Sequence, residues 1–236
     1  MGCRNPQKGD RPCEGGHCGR QHAGQQDQRQ PKPSEIDPKA YRIFLPQLVS
    51  PHGLGQQEAQ KYGKANKIAT SEDKTFSYIP DCSDLPISEN ADYVYICENN
   101  TIYGTKYKEL PNTKGKILVS DVSSCFLSEP VDVSKYGIIY GGVQKNIGPA
   151  GVVIVIIRED LISDDVLEGT PTMLKYKTHA DAGSLYNTPP AYGIYICGKV
   201  FKWLKKQGGL EAMKEHNEKK AKLLYDYLDE SRLFKG

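Results

Sequence analysis

Long apolar stretches are missing from this sequence. The longest apolar run covers residues 151–157 (GVVIVII), whereas a membrane-spanning helix needs about 20 apolar residues. The first residues, MGCRNPQKGD, also lack the apolar core of a secretory signal peptide. We therefore expect neither a membrane span nor secretion.

An excess of either charge is missing too. The 31 lysines and arginines nearly balance the 29 aspartates and glutamates, so nothing draws the chain as a whole to nucleic acid or anionic membranes. Its cysteines are odd in number and scattered, which argues against a disulfide framework and favours reduced, cytoplasmic thiols. They are Cys3, Cys13, Cys18, Cys82, Cys97, Cys125 and Cys197.

Residues 1–35 contain no Ile, Leu, Val, Phe, Tyr or Trp. Such a segment cannot bury enough apolar area to offset the entropy lost on ordering, so we predict disorder. It does contain possible zinc ligands, but their spacing matches no standard finger, and we predict no metal site. These ligands are Cys13, His17, Cys18 and His22.

Residues 36–66 form a divergent lead-in whose structure the sequence leaves open. Three prolines in its first part, Pro38, Pro46 and Pro51, exclude a long helix there. A short helix is predicted from Gln56 onward, ending at Gly63, because glycine is common just after a helix.

From residue 67 onward the sequence predicts an α/β domain. Runs rich in β-branched and aromatic residues indicate four strands. They lie at 92–97 (DYVYIC), 116–120 (KILVS), 136–140 (YGIIY) and 151–157. Because the last run is apolar at consecutive positions, we expect both of its faces to be buried.

Two long helices are predicted after the strands. Thr188 is expected to cap the first, with two prolines in its first turn and Gly208 and Gly209 at its end. Its predicted apolar stripe comprises Tyr192, Ile196, Val200, Trp203 and Leu204. The second helix runs from Leu210 to about Leu228, with apolar positions at Leu210, Met213, Ala221, Leu224 and Leu228.

Two of the predicted strands end in polar sequences, SDVSS and GGVQKNIGPAG. Ligands of open α/β sheets lie beyond the carboxyl ends of strands, which is where Asp121 and Lys145 are expected. A lysine amine can condense with the aldehyde of pyridoxal 5'-phosphate (PLP), while an aspartate keeps the pyridine nitrogen protonated. By spacing alone, however, such a lysine is more often a solvated residue and such an aspartate a turn former. The glycines match neither a P-loop nor a dinucleotide fingerprint.

Four motifs in order favour the PLP hypothesis. The block YGIIYGGVQKNIGPAG (136–151) resembles the lysine segment of phosphoserine aminotransferases, in the class V branch of fold-type-I PLP enzymes. NNTIYGT (99–105), SDVSS (120–124) and YNTPPAYGIYICGKVFKWLKKQGG (186–209) resemble further motifs of that family. The resemblance runs from about residue 57 to residue 236.

The resemblance implies a fold and a domain organisation. The fold is the PLP-dependent transferase (aspartate aminotransferase-like) large domain, an α/β domain with a mixed, mostly parallel sheet flanked by helices. Its core would span 67–209, and 210–236 would lead toward a small C-terminal domain that is largely missing. Family members are longer at both ends. Their second phosphate-binding loop, stacking tryptophan and substrate-binding basic residues are not recognisable in residues 1–55.

The resemblance also implies roles for individual residues. Lys145 would form the Schiff base and move the substrate proton, and Asp121 would pair with the pyridine nitrogen. The other cofactor-binding residues would be Thr101 at the phenolic oxygen, Gln144 at the phosphate, and Asn187 and Thr188 at the phosphate of a neighbouring subunit. A homodimer is therefore expected. Taken one at a time, Thr101 also completes a formal glycosylation sequence, Asn187 and Thr188 suit a helix cap, and Gln144 suits an ordinary turn.

The implied reaction moves an amino group from glutamate to 3-phosphohydroxypyruvate in serine biosynthesis. Another class V enzyme is the first alternative, for example a cysteine desulfurase. That enzyme needs a nucleophilic cysteine, and Cys125 follows Asp121 so closely that we expect it in the core. The second alternative is a catalytically impaired, truncated form that acts only as a binding partner of the full-length enzyme.

Overall fold

Eight strands and four α-helices are found in residues 43–45 and 54–234, the part of the chain described by this computed structural model. The strands are β1 (Ile43–Leu45), β2 (Asn66–Lys67), β3 (Tyr93–Cys97), β4 (Asn99–Asn100), β5 (Thr105–Lys106), β6 (Ile117–Asp121), β7 (Ile138–Gly142) and β8 (Val153–Ile157). The helices are α1 (Leu54–Ala59), α2 (Tyr176–Asp181), α3 (Ala191–Lys206) and α4 (Gly209–Glu230). The predicted disorder of residues 1–35 and their possible zinc ligands lie outside the described residues.

Six strands form one mixed, mostly parallel sheet in the order β2-β1-β3-β6-β7-β8. Neighbours in it are parallel except for β8, which runs antiparallel to β7. The remaining strands, β4 and β5, pair with each other. The predicted α/β class and mostly parallel sheet are confirmed. The lead-in, which the sequence left open, contributes β1 and β2.

The four predicted strands are confirmed as β3, β6, β7 and β8, with ends displaced by one or two residues. The displacement is largest for β7, which includes Gly141 and Gly142 instead of stopping before them. Gly141 is needed inside this strand because the backbone of Ser123, in the segment after β6, passes close to it. A Cβ on Gly141 would lie 3.2 Å from the Ser123 backbone.

The apolar core lies on one face of the sheet. Alternate residues of a strand share a face of the sheet. The residues on the core face are at most 4% exposed, and they are Val94, Ile96, Leu118 and Ile139. The opposite face is half-buried and carries Val119, Tyr140 and Asp121. The acid at the end of β6 therefore lies on the more accessible side of the sheet.

The expectation that both faces of β8 are buried is wrong. Val153 is 63% exposed, and Val155 and Ile156 are also exposed. Among the described residues β8 pairs only with β7, so it is an edge strand on which no described element packs fully. Consecutive apolar positions do not distinguish a buried central strand from an uncovered edge strand.

Helix α3 begins at Ala191, which corrects the prediction that Thr188 caps it. The N-cap residue is Pro190, and no side chain caps this end. The residue before a proline is disfavoured in the α conformation, so neither Thr188 nor Pro189 can readily begin the helix. Its predicted end is confirmed, since Lys206 is the last helical residue and Gly208 has a φ of 99°.

The predicted apolar stripe of α3 is only partly correct. Ile196 and Val200 are half-buried and Leu204 is buried, but Tyr192 is 73% and Trp203 is 51% exposed. The buried face instead includes two small residues, Gly193 and Cys197. Their small size allows the segment after β7 to approach the helix closely.

The predicted second helix is confirmed as α4. Leu210, Met213 and Leu228 are half-buried, whereas Ala221 and Leu224 are exposed. Within residues 54–234 no helix is long and apolar enough to cross a membrane. The same residues contain no cluster of three or more His, Cys, Asp or Glu side chains placed to hold a metal ion.

Candidate active site

The carboxyl ends of β3, β6 and β7 meet at one edge of the sheet. The register pairs Cys97 with Asp121, and Asp121 with Tyr140. Asp121 is the last residue of β6, and Lys145 comes shortly after the end of β7. Because neighbouring parallel strands end at the same edge, the predicted acid and the predicted lysine are both delivered there.

Lys145 is the last residue of a 3₁₀ turn, Val143–Lys145. Val143 is fully buried, and its carbonyl accepts hydrogen bonds from the amides of Ile147 and Gly148 at 2.9 Å each. The turn is therefore anchored from inside the protein. From it, the Lys145 Nζ donates a hydrogen bond to Thr101 Oγ1 at 2.6 Å. Two residues predicted to share a site are in direct contact across 44 positions of sequence.

Asn100 holds the turn that presents Thr101. Its Oδ1 accepts hydrogen bonds from the amides of Ile102 and Tyr103 at 3.1 and 3.2 Å, and its carbonyl accepts from Gly104 at 2.9 Å. Gly104 has a φ of 69°, a conformation that favours glycine. An asparagine followed by a tight, glycine-ended turn is a sequence signal for this arrangement.

The Asp121 carboxylate is oriented by Ser123. Its Oδ1 accepts hydrogen bonds from the Ser123 amide at 2.9 Å and from the Ser123 hydroxyl at 2.5 Å. Within the described residues, Oδ1 is the acceptor of both of these hydrogen bonds. No hydrogen bond from this part of the chain ends on the other oxygen, Oδ2.

Asp121 and Lys145 both influence the pKa of the Cys97 thiol. The pKa of Cys97 is raised to about 12, mainly by burial and then by the Asp121 carboxylate, while the Lys145 ammonium opposes the rise. Burial likewise raises the pKa of Tyr140 to about 12, with a smaller contribution from Asp121. The Tyr140 hydroxyl is hydrogen-bonded to that of Tyr95 at 3.0 Å. The acid and the lysine thus share one small electrostatic environment, although no direct contact joins them.

A buried carboxylate behind this edge was not anticipated from the sequence. Glu98 directly follows β3 and is 7% exposed. It accepts hydrogen bonds from the hydroxyls of Ser120 and Tyr136 at 3.0 and 3.2 Å. Its amide donates to the Asp121 carbonyl at 3.0 Å. Glu98 therefore ties the residue before Asp121 to the segment that enters β7.

Three of the predicted site residues are not brought to Lys145. The Gln144 side chain folds back over Gly142, where a Cβ would lie 2.5 Å from Gln144 Oε1. Asn187 and Thr188 are exposed ahead of α3, and the Asn187 amide contacts the Thr188 carbonyl at 3.5 Å. Their assignment to a phosphate remains a prediction.

The residues present fit an aromatic aldehyde with a basic ring nitrogen. Lys145 offers an amine, Thr101 offers a hydroxyl in contact with that amine, and Asp121 offers a free carboxylate oxygen on the neighbouring strand end. Lysine amines form covalent adducts with carbonyl groups. A carboxylate beside a heterocyclic nitrogen favours its protonated form.

Comparisons with known proteins point to one family. The Aminotransferase class-V family model matches residues 56–235, close to the range of the resemblance found in the sequence. The chain is 48% identical over 178 residues to phosphoserine aminotransferase from Lysinibacillus sphaericus, covering 75% of this chain and 49% of that protein. It is 50% identical over 184 residues to the enzyme of that name from Nitrosomonas europaea, covering 75% and 50%.

Solved structures agree. Phosphoserine aminotransferase from Bacillus circulans subsp. alkalophilus is similar with a TM-score of 0.75 and 38% identity, covering 81% of this chain and 52% of that one. A cysteine desulfurase from Thermococcus onnurineus, at 17% identity and a TM-score of 0.55, shares only the fold. The chain spans about half the length of the curated relatives it matches.

Proposed function

Since the chain belongs to the class-V aminotransferases, we propose that it transfers the amino group of glutamate to 3-phosphohydroxypyruvate with PLP as cofactor. The products are 2-oxoglutarate and phosphoserine, on the path to serine. The observation that carries the proposal is the 2.6 Å hydrogen bond between Lys145 Nζ and Thr101 Oγ1, beside the strand that ends in Asp121. The proposed substrate class rests on relatives with 48% and 50% sequence identity that are named phosphoserine aminotransferase.

Each residue has a defined task in this proposal. Lys145 would hold the cofactor through its Nζ and would accept the proton that leaves the substrate Cα. Asp121 would hold the ring nitrogen in its protonated form, while Ser123 donates two hydrogen bonds to Asp121 Oδ1. Thr101, whose hydroxyl contacts the lysine amine, would hold the cofactor's phenolic oxygen. When bound, PLP supplies the aldehyde and an electron-withdrawing ring.

The phosphate is assigned to residues that do not all come from one subunit. Gln144 follows β7 next to Lys145 and is exposed. Asn187 and Thr188 are exposed, and no hydrogen bond within the described chain joins either to Lys145. We assign them to the cofactor of a second subunit in a homodimer. We also place the chain in the cytoplasm, because the four cysteines within residues 54–234 are free thiols.

A cysteine desulfurase is not favoured. The thiolate is the reactive form of cysteine, and the pKa values of Cys97 and Cys125 are both raised to about 12, mainly by burial. Both side chains are therefore protonated near neutral pH. Neither is prepared to act as the nucleophile that a desulfurase requires.

Covalent trapping tests the cofactor assignment. Incubation with PLP and then borohydride should label one peptide, at Lys145, and Lys145→Ala should remove the label. Lys135→Ala is a matched control. Lys135 also ends a Val-x-Lys 3₁₀ turn, but that turn precedes β7, at the end of the strand opposite to the site. Labelling that is equal at Lys135 and Lys145, or absent from both, would refute the assignment.

Substrate profiling tests the reaction. Phosphoserine present before the borohydride step should reduce the labelling of Lys145, and phosphoserine with 2-oxoglutarate should yield glutamate and 3-phosphohydroxypyruvate. Alanine and cysteine serve as comparison amino acids, since another class V activity would prefer one of them. Glutamate formation that is equal with alanine and phosphoserine would contradict the proposed substrate class.

A further inference from the structure

The tripeptide Asp-Val-Ser occurs twice in the chain and folds twice in the same way. At 121–123, the amide and hydroxyl of Ser123 donate to Asp121 Oδ1 at 2.9 and 2.5 Å. At 132–134, the amide and hydroxyl of Ser134 donate to Asp132 Oδ1 at 3.1 and 2.6 Å. The second copy is exposed and represents an ordinary local turn. It provides an internal reference for the first.

Only the first copy has a third partner. The Ser123 Oγ also accepts a hydrogen bond from the Gly142 amide at 3.1 Å, at the start of the turn that carries Lys145. The backbones are close at this point, since a Cβ on Gly141 would lie 3.2 Å from the Ser123 nitrogen and Cα. A serine hydroxyl has one proton to donate and lone pairs to accept. Here the proton goes to Asp121 and a lone pair goes to Gly142.

We propose that Ser123 is a positioning residue that fixes the orientation of the Asp121 carboxylate relative to the turn that carries Lys145. The bond to Oδ1 fixes the rotation of the carboxylate and directs Oδ2 away from the serine. The bond from Gly142 ties that orientation to the backbone from which Lys145 projects. This inference rests on the proposed function, because Oδ2 acquires its role from a ring nitrogen. Lys145 would hold the aldehyde and Asp121 the ring nitrogen of one rigid cofactor, so their relative placement matters.

Local turn formation alone does not account for this arrangement. In the reference turn, the Ser134 hydroxyl and amide lower the pKa of the exposed Asp132 carboxyl. Ser134, however, touches nothing beyond its own turn among the described contacts. The Gly142 bond spans 19 positions and joins two strand ends. A purely local role for Ser123 would not need it.

The test compares two ligands in three variants of the full chain. The ligands are PLP and an analogue in which a C–H group replaces the pyridine nitrogen. Ser123→Ala should weaken PLP binding about tenfold, the scale of a hydrogen bond to a charged group. It should leave the analogue within about twofold, because Asp121 has no ring nitrogen to hold there. Ser123→Thr keeps the hydroxyl and should restore PLP binding, and Ser134→Ala should change neither ligand.

Amide hydrogen exchange at Gly142 supplies a readout that needs no ligand. Loss of the Ser123 hydroxyl should speed exchange at Gly142, and Ser134→Ala should not. Equal weakening of both ligands, or unchanged PLP binding by Ser123→Ala, would overturn the positioning role while leaving the proposed function intact. Failure of the wild-type chain to bind PLP at all would overturn both.

Discussion

Glu98 is held inside the protein by two hydroxyl groups. Glu98 is 7% exposed, and its carboxylate accepts hydrogen bonds from the hydroxyls of Ser120 and Tyr136. We expect Tyr136→Phe to lower the free energy of unfolding by about 1–3 kcal/mol, because a buried acceptor then loses one of its donors. Urea unfolding followed by far-UV circular dichroism measures the change.

Tyr192→Phe is the control for that substitution. Tyr192 is 73% exposed, so loss of its hydroxyl should change the free energy of unfolding by less than about 0.5 kcal/mol. If Tyr136→Phe has an effect as small as that of the control, the hydrogen bond to Glu98 does not stabilise the fold.

The sequence could suggest candidate site residues but not what positions them. Lys145, Asp121 and Thr101 stand in short motifs that can be read locally. The partners of Glu98 lie 22 and 38 positions away, and the Gly142 bond to Ser123 spans 19. Such contacts depend on strand order and register, which a local pattern does not specify.

At the scale of elements, helix α3 packs directly on the segment that follows Lys145. A Cβ on Gly148 would lie 2.8 Å from Cys197 Sγ, and one on Gly193 would lie 2.8 Å from a methyl group of Val152. Small residues on both sides therefore permit the close approach. The position of the lysine turn depends on how this helix docks.

Substitution at this contact should destabilise the protein. We expect Gly148→Ala to lower the free energy of unfolding by about 1–3 kcal/mol, because the new methyl group overlaps the Cys197 sulfur. Cys197→Ala in the same chain should recover part of the loss, since it removes the overlapping atom. Urea unfolding of the single and double variants measures both effects.

Gly198→Ala is the control, next to Cys197 on α3 and with nothing within 4 Å of the added Cβ. Alanine has the higher helix propensity, so this variant should be more stable by about 0.5–1 kcal/mol. A loss of stability in Gly198→Ala equal to that in Gly148→Ala would mean that α3 tolerates no substitution, and would refute the specific contact.

Elements were predicted well where local rules decide them and poorly where neighbours do. Helix α3 ends just before Gly208 as expected, because helix ends follow local backbone preferences. The start of α3 differs from the prediction because the restriction on residues that precede a proline outweighs the capping preference of Thr188. The burial of β8 differs from the prediction because it depends on the elements beside this strand.

At the scale of the whole molecule, α3 and the segment before it expose many large apolar side chains. Leu185, Tyr186, Tyr192, Tyr195 and Trp203 are each more than half exposed. Apolar surface concentrated in one region marks a protein contact more often than it marks a free surface. This region also contains Asn187 and Thr188, which the proposed homodimer directs toward the other subunit's cofactor.

Heterodimers that combine two defects test whether the site is shared between subunits. Lys145→Ala and Asn187→Ala, carried on differently tagged chains and purified through both tags, should give dimers in which one site keeps both residues. About half of the sites should then bind PLP with wild-type affinity. Each homodimeric variant should bind it at least about tenfold more weakly, since one variant lacks the lysine and the other lacks an amide contact to a phosphate.

PLP titration of the tandem-purified dimer measures the recovery. If Asn187 served the cofactor of its own subunit, neither site of the heterodimer would be intact, and no recovery would be seen.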